Sequence, residues 1–418
     1  MTAFLQVAKT LLRHRDFTVL IICNLIVGMA HSFVMPYGSI FGTKEVGMSS
    51  WMYGIFMTVT SLSGIVLSTY LAHWSDTRFA RKTILLIGGL AGGLGYLGYA
   101  WVREIWLLML IGCLLLGIAS IVFSQLFAHA RNLLDESEVD AREVSLYMNV
   151  FRLCFALSWT VGPALAALVM RYYSFRGTYQ VAAGLFFLFT VLVAAFIRSN
   201  PPSKAGGRET AKLPIPKLPL REAFRLPGLA AHFLAFTAFF TCWTMGMINL
   251  PLLMLDTLHG DASNVGMAYS LGPVFEIPLM FYLGVLATRM PPARLIRGAF
   301  MLAIVYFAAL SLIREPWQVY PLQLLSAAIV AVSNGLAITF FQDYMPERAG
   351  AATNLFTNAM RFGSIFGYLL FGGLCTSFGH RSVFVACAML CGLSVLLMLP
   401  RRAERIRPPR EVRAAIKA

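Results

Sequence analysis

Charged side chains are scarce in this chain. Asp, Glu, Lys and Arg make up 13% of its 418 residues, where a soluble globular protein carries about a quarter. With 58% hydrophobic residues and a mean hydropathy of +0.71, an ordinary soluble domain is excluded. The alternating segments of roughly 10 residues that mark an outer-membrane barrel are missing. Apolar stretches of about 20 residues, enough to cross a bilayer of about 30 Å, recur instead. The seven cysteines (Cys23, Cys113, Cys154, Cys242, Cys375, Cys387 and Cys391) all fall inside those stretches. An odd number so placed makes neither a disulfide framework nor a metal cluster, and they read as small core residues. No H-E-x-x-H or G-x-S-x-G element occurs. Neither enzyme chemistry nor a metal or cofactor is therefore expected.

What is present is a polytopic α-helical membrane protein. Twelve spans are predicted, near 17–41, 51–72, 83–102, 105–131, 143–171, 177–198, 229–255, 264–287, 295–313, 316–342, 350–375 and 381–400. The net charge of +15 does not point to nucleic acid, because the basic residues sit in short loops and in the tail. Of 34 basic residues, 26 fall in the even-numbered loops and the two termini and six in the odd-numbered loops. The positive-inside rule then puts both termini and the central loop in the cytoplasm. The N-terminal run MTAFLQVAKTLLRHRD is basic and amphipathic without a small-residue cleavage site, so the first span is expected to be retained. The Pro-, Gly- and Lys/Arg-rich stretch 199–228 reads as a cytoplasmic linker between six-helix bundles at 1–198 and 229–400, followed by a basic tail at 401–418.

The two halves look like copies. Leu146-x-x-Asn149-x-x-Arg152 in span 5 repeats as Leu355-x-x-Asn358-x-x-Arg361 in span 11, an offset of 209 residues. Spans 1 and 7 carry Pro36 and Pro251 late in their course, and spans 4 and 10 end near Gln125 and Gln342. Six-span repeats related by an axis along the membrane normal are the major facilitator arrangement, with the substrate site near the midplane between halves.

Arg152, Glu276 and Arg361 are the only ionisable residues other than His placed well inside a span. A charge at the bilayer centre costs at least about 2.5–3.5 kcal/mol, so each needs a wet cavity or a partner. Lining a cavity is one reading; tying neighbouring helices through carbonyls or Glu276 is the plainer one. A lone carboxylate in a span is also the usual device for proton coupling, because loss of water disfavours its charged form. Asn149 and Asn358 stand one turn before the arginines on the same face, and amides beside a guanidinium suit a neutral polyhydroxylated ligand. Gln125, Asn249, Trp243, His31, Asn24 and Asn334 are secondary candidates, each with packing as its ordinary role.

Several stretches resemble known transporters. The loop LAHWSDTRFARK, with Asp76, Arg81 and Lys82, is similar to the gating loop of major facilitators, though Ala72 and Thr77 depart from its pattern. Ser158-x-x-x-Gly162-Pro163 resembles the Gly-Pro element of facilitator antiporters. The run Phe341-Gln342-Asp343, Met345-Pro346, Arg348 to Ala352 and Leu355 to Asn358 resembles the sugar efflux transporter family of bacterial major facilitators. Ser124 to Ala128, Ala141 to Val144, Trp159-x-Val161-Gly162-Pro163 and Glu276-Ile277-Pro278 extend the likeness from span 4 to span 11. One departure is Asn249, two before Pro251, where the family has an acidic residue.

The resemblance implies proton-driven export of sugars or small glycosides by alternating access, by a monomer in the lipid bilayer. Asn149, Arg152, Asn358 and Arg361 would line the cavity with Gln125, Glu276 would carry the proton, and Asp76, Arg81, Asp343 and Arg348 would act at a cytoplasmic gate. A multidrug or other small-molecule antiporter of the same fold is the near alternative. A membrane sensor is remote, since the longest soluble stretch is the linker of about 30 residues.

Overall fold

The computed structural model describes residues 15–77, 80–136, 141–197, 224, 226–345 and 349–399. The 1–14 segment, nearly all of the linker and the 401–418 tail lie outside the described residues. The described chain is helical, with no strand. The N-terminal half holds α1 (Asp16–Glu45), α2 (Ser50–Thr77), α3 (Arg81–Trp101), α4 (Ile105–Leu134) and α5 (Ala141–Phe196). The C-terminal half holds α6 (Leu229–Thr257), α7 (Ala262–Arg289), α8 (Pro292–Leu312), α9 (Pro316–Tyr344) and α10 (Ala349–Leu397). Nine of these are long and apolar enough to cross a membrane among the described residues.

α5 and α10 run to 56 and 49 residues. At about 1.5 Å per residue each would exceed a bilayer of about 30 Å more than twice over. Each is broken by one residue with left-handed backbone: Ser174 at φ 56° and ψ −166° in α5, Gly379 at φ 77° and ψ 177° in α10. Glycine adopts this conformation freely; serine does so at a cost of about 1–3 kcal/mol. Ser174→Gly is therefore expected to stabilise the protein by about 1 kcal/mol, read as a higher thermal midpoint in detergent. A lower midpoint would show that the serine side chain holds the turn.

The turns at the end bearing Ser174 and Gly379, called here the far end, are fixed by caps that satisfy exposed helix N–H groups. Glu104 accepts from the amides of Trp106 and Leu107 at the start of α4, and Asp261 forms a reciprocal box with Asn264 at the start of α7. Aromatic side chains gather at this end, with Trp101, Trp106, Tyr172, Tyr173 and Trp317 all exposed. Such residues sit at a membrane–water boundary. The other end, which carries Arg81, Arg289 and Arg294, is called the basic end. Along the outside of α5, Leu157, Val161, Leu165 and Leu168 are exposed on one apolar stripe, a face that suits lipid.

Within the halves the most extensive packing is of α1 on α5 and of α6 on α10. Between the halves it is of α5 on α7 and of α2 on α10, so the same pairing occurs twice.

Candidate functional site

The halves are clamped together toward the far end. A Cβ on Gly54 of α2 would come within 2.5 Å of the Tyr368 carbonyl of α10, and one on Gly266 of α7 within 2.8 Å of the Pro163 carbonyl of α5. Gly54 and Gly266 are 212 residues apart, and the two crossings are counterparts. The hydroxyl of Tyr37 lies 2.7 Å from the Pro163 carbonyl and 3.3 Å from that of Ala262 across the halves. Lys44 and Asp256 pair at 2.7 Å, the Ala164 amide donates to Ser270 at 3.3 Å, and the Tyr368 hydroxyl bonds Ser61.

A Cβ on Gly54 would also lie 3.3 Å from the Gly372 Cα. Arg152 lies eleven residues before Pro163 and Arg361 eleven before Gly372, so each shares a face with its clamp residue three helical turns away. That is about 16 Å nearer the basic end on either helix. At the clamp these faces are closed against the opposite half, whereas Asn149, Arg152, Asn354 and Arg361 are exposed and Asn358 is half-buried. Two equivalent Asn/Arg faces are thus left uncovered at that depth among the described residues. The Tyr269 hydroxyl of α7 donates to the Met247 carbonyl of its own half at 2.5 Å. Glu276 is half-buried on α7, ten residues beyond Gly266 and so within about a quarter turn of the face that Gly266 presents to α5. Among the described residues Arg152, Arg361 and Glu276 make no ion pair with one another. The arginines are therefore not tied to neighbouring helices by Glu276 in this state.

The secondary candidates are placed differently. Asn249 is fully buried inside the C-terminal half, with both amide atoms on His380. Trp243 lies in an aromatic cluster of α6 and α8, its ring centroid 6.0–6.3 Å from those of Phe239, Tyr306 and Phe307. His31 is 2.9 Å from the Val27 carbonyl and packs on Phe186. Asn24 donates to the Phe151 carbonyl at 2.6 Å, which ties α1 to α5. Gln125 is buried in α4. Asn249 and Trp243 are thus engaged inside one half, and the open faces of α5 and α10 do not include them.

At the basic end, Arg81 lies near His129 together with Asp16, and Asp343 is exposed at the end of α9. Asp76 and Arg348 complete the expected gate, but their side chains lie outside the described residues. Sequence reading passed over Tyr37, Tyr269, Tyr368, Lys44 and His380. The signal for Lys44 and Asp256 was available, since they too are 212 residues apart.

A helical fold of two equivalent halves, packed through α5 on α7 and α2 on α10, is the architecture of a membrane transporter. The model of the Major Facilitator Superfamily matches residues 20–365 and 316–418. A sugar efflux transporter A of Dickeya chrysanthemi is 33% identical, covering 93% of this chain and 97% of its own. The sugar efflux transporter A of Escherichia coli is 29% identical over 91% of this chain and 95% of its own. The crystal structure of the nucleoside transporter NupG superposes with a TM-score of 0.74 at 13% identity, over 94% of this chain and 99% of that one. The chain belongs to the major facilitator superfamily and, within it, to the sugar efflux transporter family.

Proposed function

We propose that this protein exports sugars or small glycosides across the bacterial inner membrane, driven by protons moving inward, through alternating access between the halves. The observation that carries the reading is the pair of equivalent faces, Asn149 with Arg152 and Asn358 with Arg361, open at one depth below the clamp. Guanidinium and amide groups together offer many donors and a few acceptors, which matches the hydroxyls and ring oxygens of a neutral sugar. The names of the related transporters support the same substrate class.

In this reading the basic end faces the cytoplasm, by the excess of Lys and Arg in its loops. The described state is then open inward and clamped outward. Glu276 is the proton site, and Asp76, Arg81, Asp343 and Arg348 close the inner end after the solute has bound. The unit is one chain, with bundles at 1–198 and 229–400 around the 199–228 linker.

Inside-out membrane vesicles energised by respiration are expected to accumulate radiolabelled glycosides, and an uncoupler should collapse the uptake. Uptake that survives the uncoupler removes proton coupling. Uptake blocked by lipophilic cations and indifferent to competing sugars replaces the sugar reading with the multidrug one.

A further inference from the structure

At the far end α1 and α6 each finish in a wider π-type turn, Phe41–Glu45 and Leu253–Thr257. Such turns are frequent at functional sites. Lys44 and Asp256 hold the same place in the two turns and meet across the halves, Nζ 2.7 Å from Oδ1. The other carboxylate oxygen is 3.2 Å from Nε2 of His380, which follows the left-handed Gly379 in α10. Nδ1 of His380 is 2.8 Å from Oδ1 of Asn249 and 3.3 Å from Sγ of Cys375. Asn249 Nδ2 donates to the main-chain carbonyl of His380 at 2.8 Å. That donation fixes the amide, because a carbonyl accepts from the NH₂ group alone, and Oδ1 is left facing the ring.

Three other charges near the cluster are engaged elsewhere, and His259, three residues past Asp256, is exposed. Glu45 pairs with Arg103 at 3.0 Å, and Asp261 caps α7 through the Asn264 amide. Arg381 donates to the Ser311 and Ile313 carbonyls of α8. Each ring nitrogen of His380 therefore faces an oxygen acceptor. A neutral imidazole has one N–H to give, and only the imidazolium donates to both. The side chains of Lys44, Asp256 and His380 are 50%, 27% and 16% exposed, so protons reach them from solvent.

We propose that Lys44, Asp256 and His380 form a latch that holds the far end shut, and that protonation of His380 releases it. The imidazolium and Asp256 belong to the same half, whereas Lys44 reaches across from the other. A positive ring competes with Lys44 for the one carboxylate and repels the ammonium, so charge shifts from the bond between the halves to the bond within one. The linkage has the same sign. Once Lys44 has left, Asp256 faces His380 alone and the ring binds its proton more tightly, so acid favours the open far end. Burial lowers the ring's hold on its proton in the latched state, so release is expected on the acid side of the ordinary imidazole range. The latch rests on the alternating-access part of the reading above but not on the identity of the solute. Its test needs no solute, so failed sugar transport and a failed latch give different results.

The test is hydrogen–deuterium exchange on the purified full chain at acid and neutral pH, about one unit either side of the imidazole range, corrected for intrinsic exchange. Peptides covering the Phe41–Glu45 and Leu253–Thr257 turns are expected to exchange several-fold faster in acid, because the open state holds the His380 proton more tightly. His380→Gln should remove the response, and Lys44→Gln should exchange fast at both pH values. A flat wild type, or an undiminished response in His380→Gln, overturns the latch. If His380→Gln does not fold, an undiminished response in Lys44→Gln overturns it equally.

Discussion

Replacing Glu276 with Gln is expected to abolish proton-driven accumulation of glycoside in energised inside-out vesicles, while solute exchange stays within about threefold of wild type. A glutamine keeps the size and much of the hydrogen bonding of a protonated glutamate but cannot release a proton. The binding faces would still load and turn over, and the proton gradient would have nothing to act on. Glu276 stands on the interface side of α7 without an ion pair to Arg152 or Arg361 among the described residues. A carboxylate so placed is free to titrate with the state of the cavity. Uncoupler-sensitive accumulation that persists in Glu276→Gln would remove it as the proton site. Loss of exchange along with accumulation would assign it to solute binding instead.

The second large effect is expected from Gly266→Leu. In the described state a Cβ at this position would lie 2.7 Å from the Tyr37 hydroxyl, 2.8 Å from the Pro163 carbonyl and 3.0 Å from the Ala167 Cβ, all in the opposite half. Overpacking of this kind costs about 1–3 kcal/mol, which at 1.4 kcal/mol per factor of ten moves a two-state balance roughly 5- to 150-fold. The cost falls on the state in which α5 and α7 touch at the far end and is relieved when they part. Net export should therefore drop about tenfold or more while the protein still folds and reaches the membrane. Faster hydrogen exchange at the start of α7, with an unchanged thermal midpoint, separates a shifted balance from simple destabilisation. Wild-type export in Gly266→Leu would show that the α5–α7 clamp does not close during the cycle. Gly54→Leu, the counterpart in α2, should behave alike, because the crossing of α2 over α10 repeats the same contact.

The sequence by itself determined that this is a helical membrane protein of two related halves, and singled out Asn149, Arg152, Glu276, Asn358 and Arg361. Those readings rest on quantities local to the chain. An apolar run long enough to span a bilayer must become a helix there, since only a helix bonds its own backbone where water is absent. An unexplained charge within such a run is conspicuous for its cost, and a repeated motif is visible at a fixed offset. The family resemblance rested on the same kind of local identity.

Only the tertiary structure decided which polar groups remain open to a ligand. Asn249 and Asn358 look equivalent in a hydropathy pattern, yet Asn249 is enclosed by His380 from another helix while Asn358 is half-buried one turn from the exposed Arg361. Trp243 is a secondary candidate in the sequence, and the structure sets Tyr306 and Phe307 beside it. Asp256 takes its meaning from Lys44, 212 residues earlier, and His380, 124 residues later. Hydropathy measures what each residue prefers to leave, water or lipid. Which neighbour receives it is set by the splay and crossing of helices far apart in the chain, and no local preference encodes that.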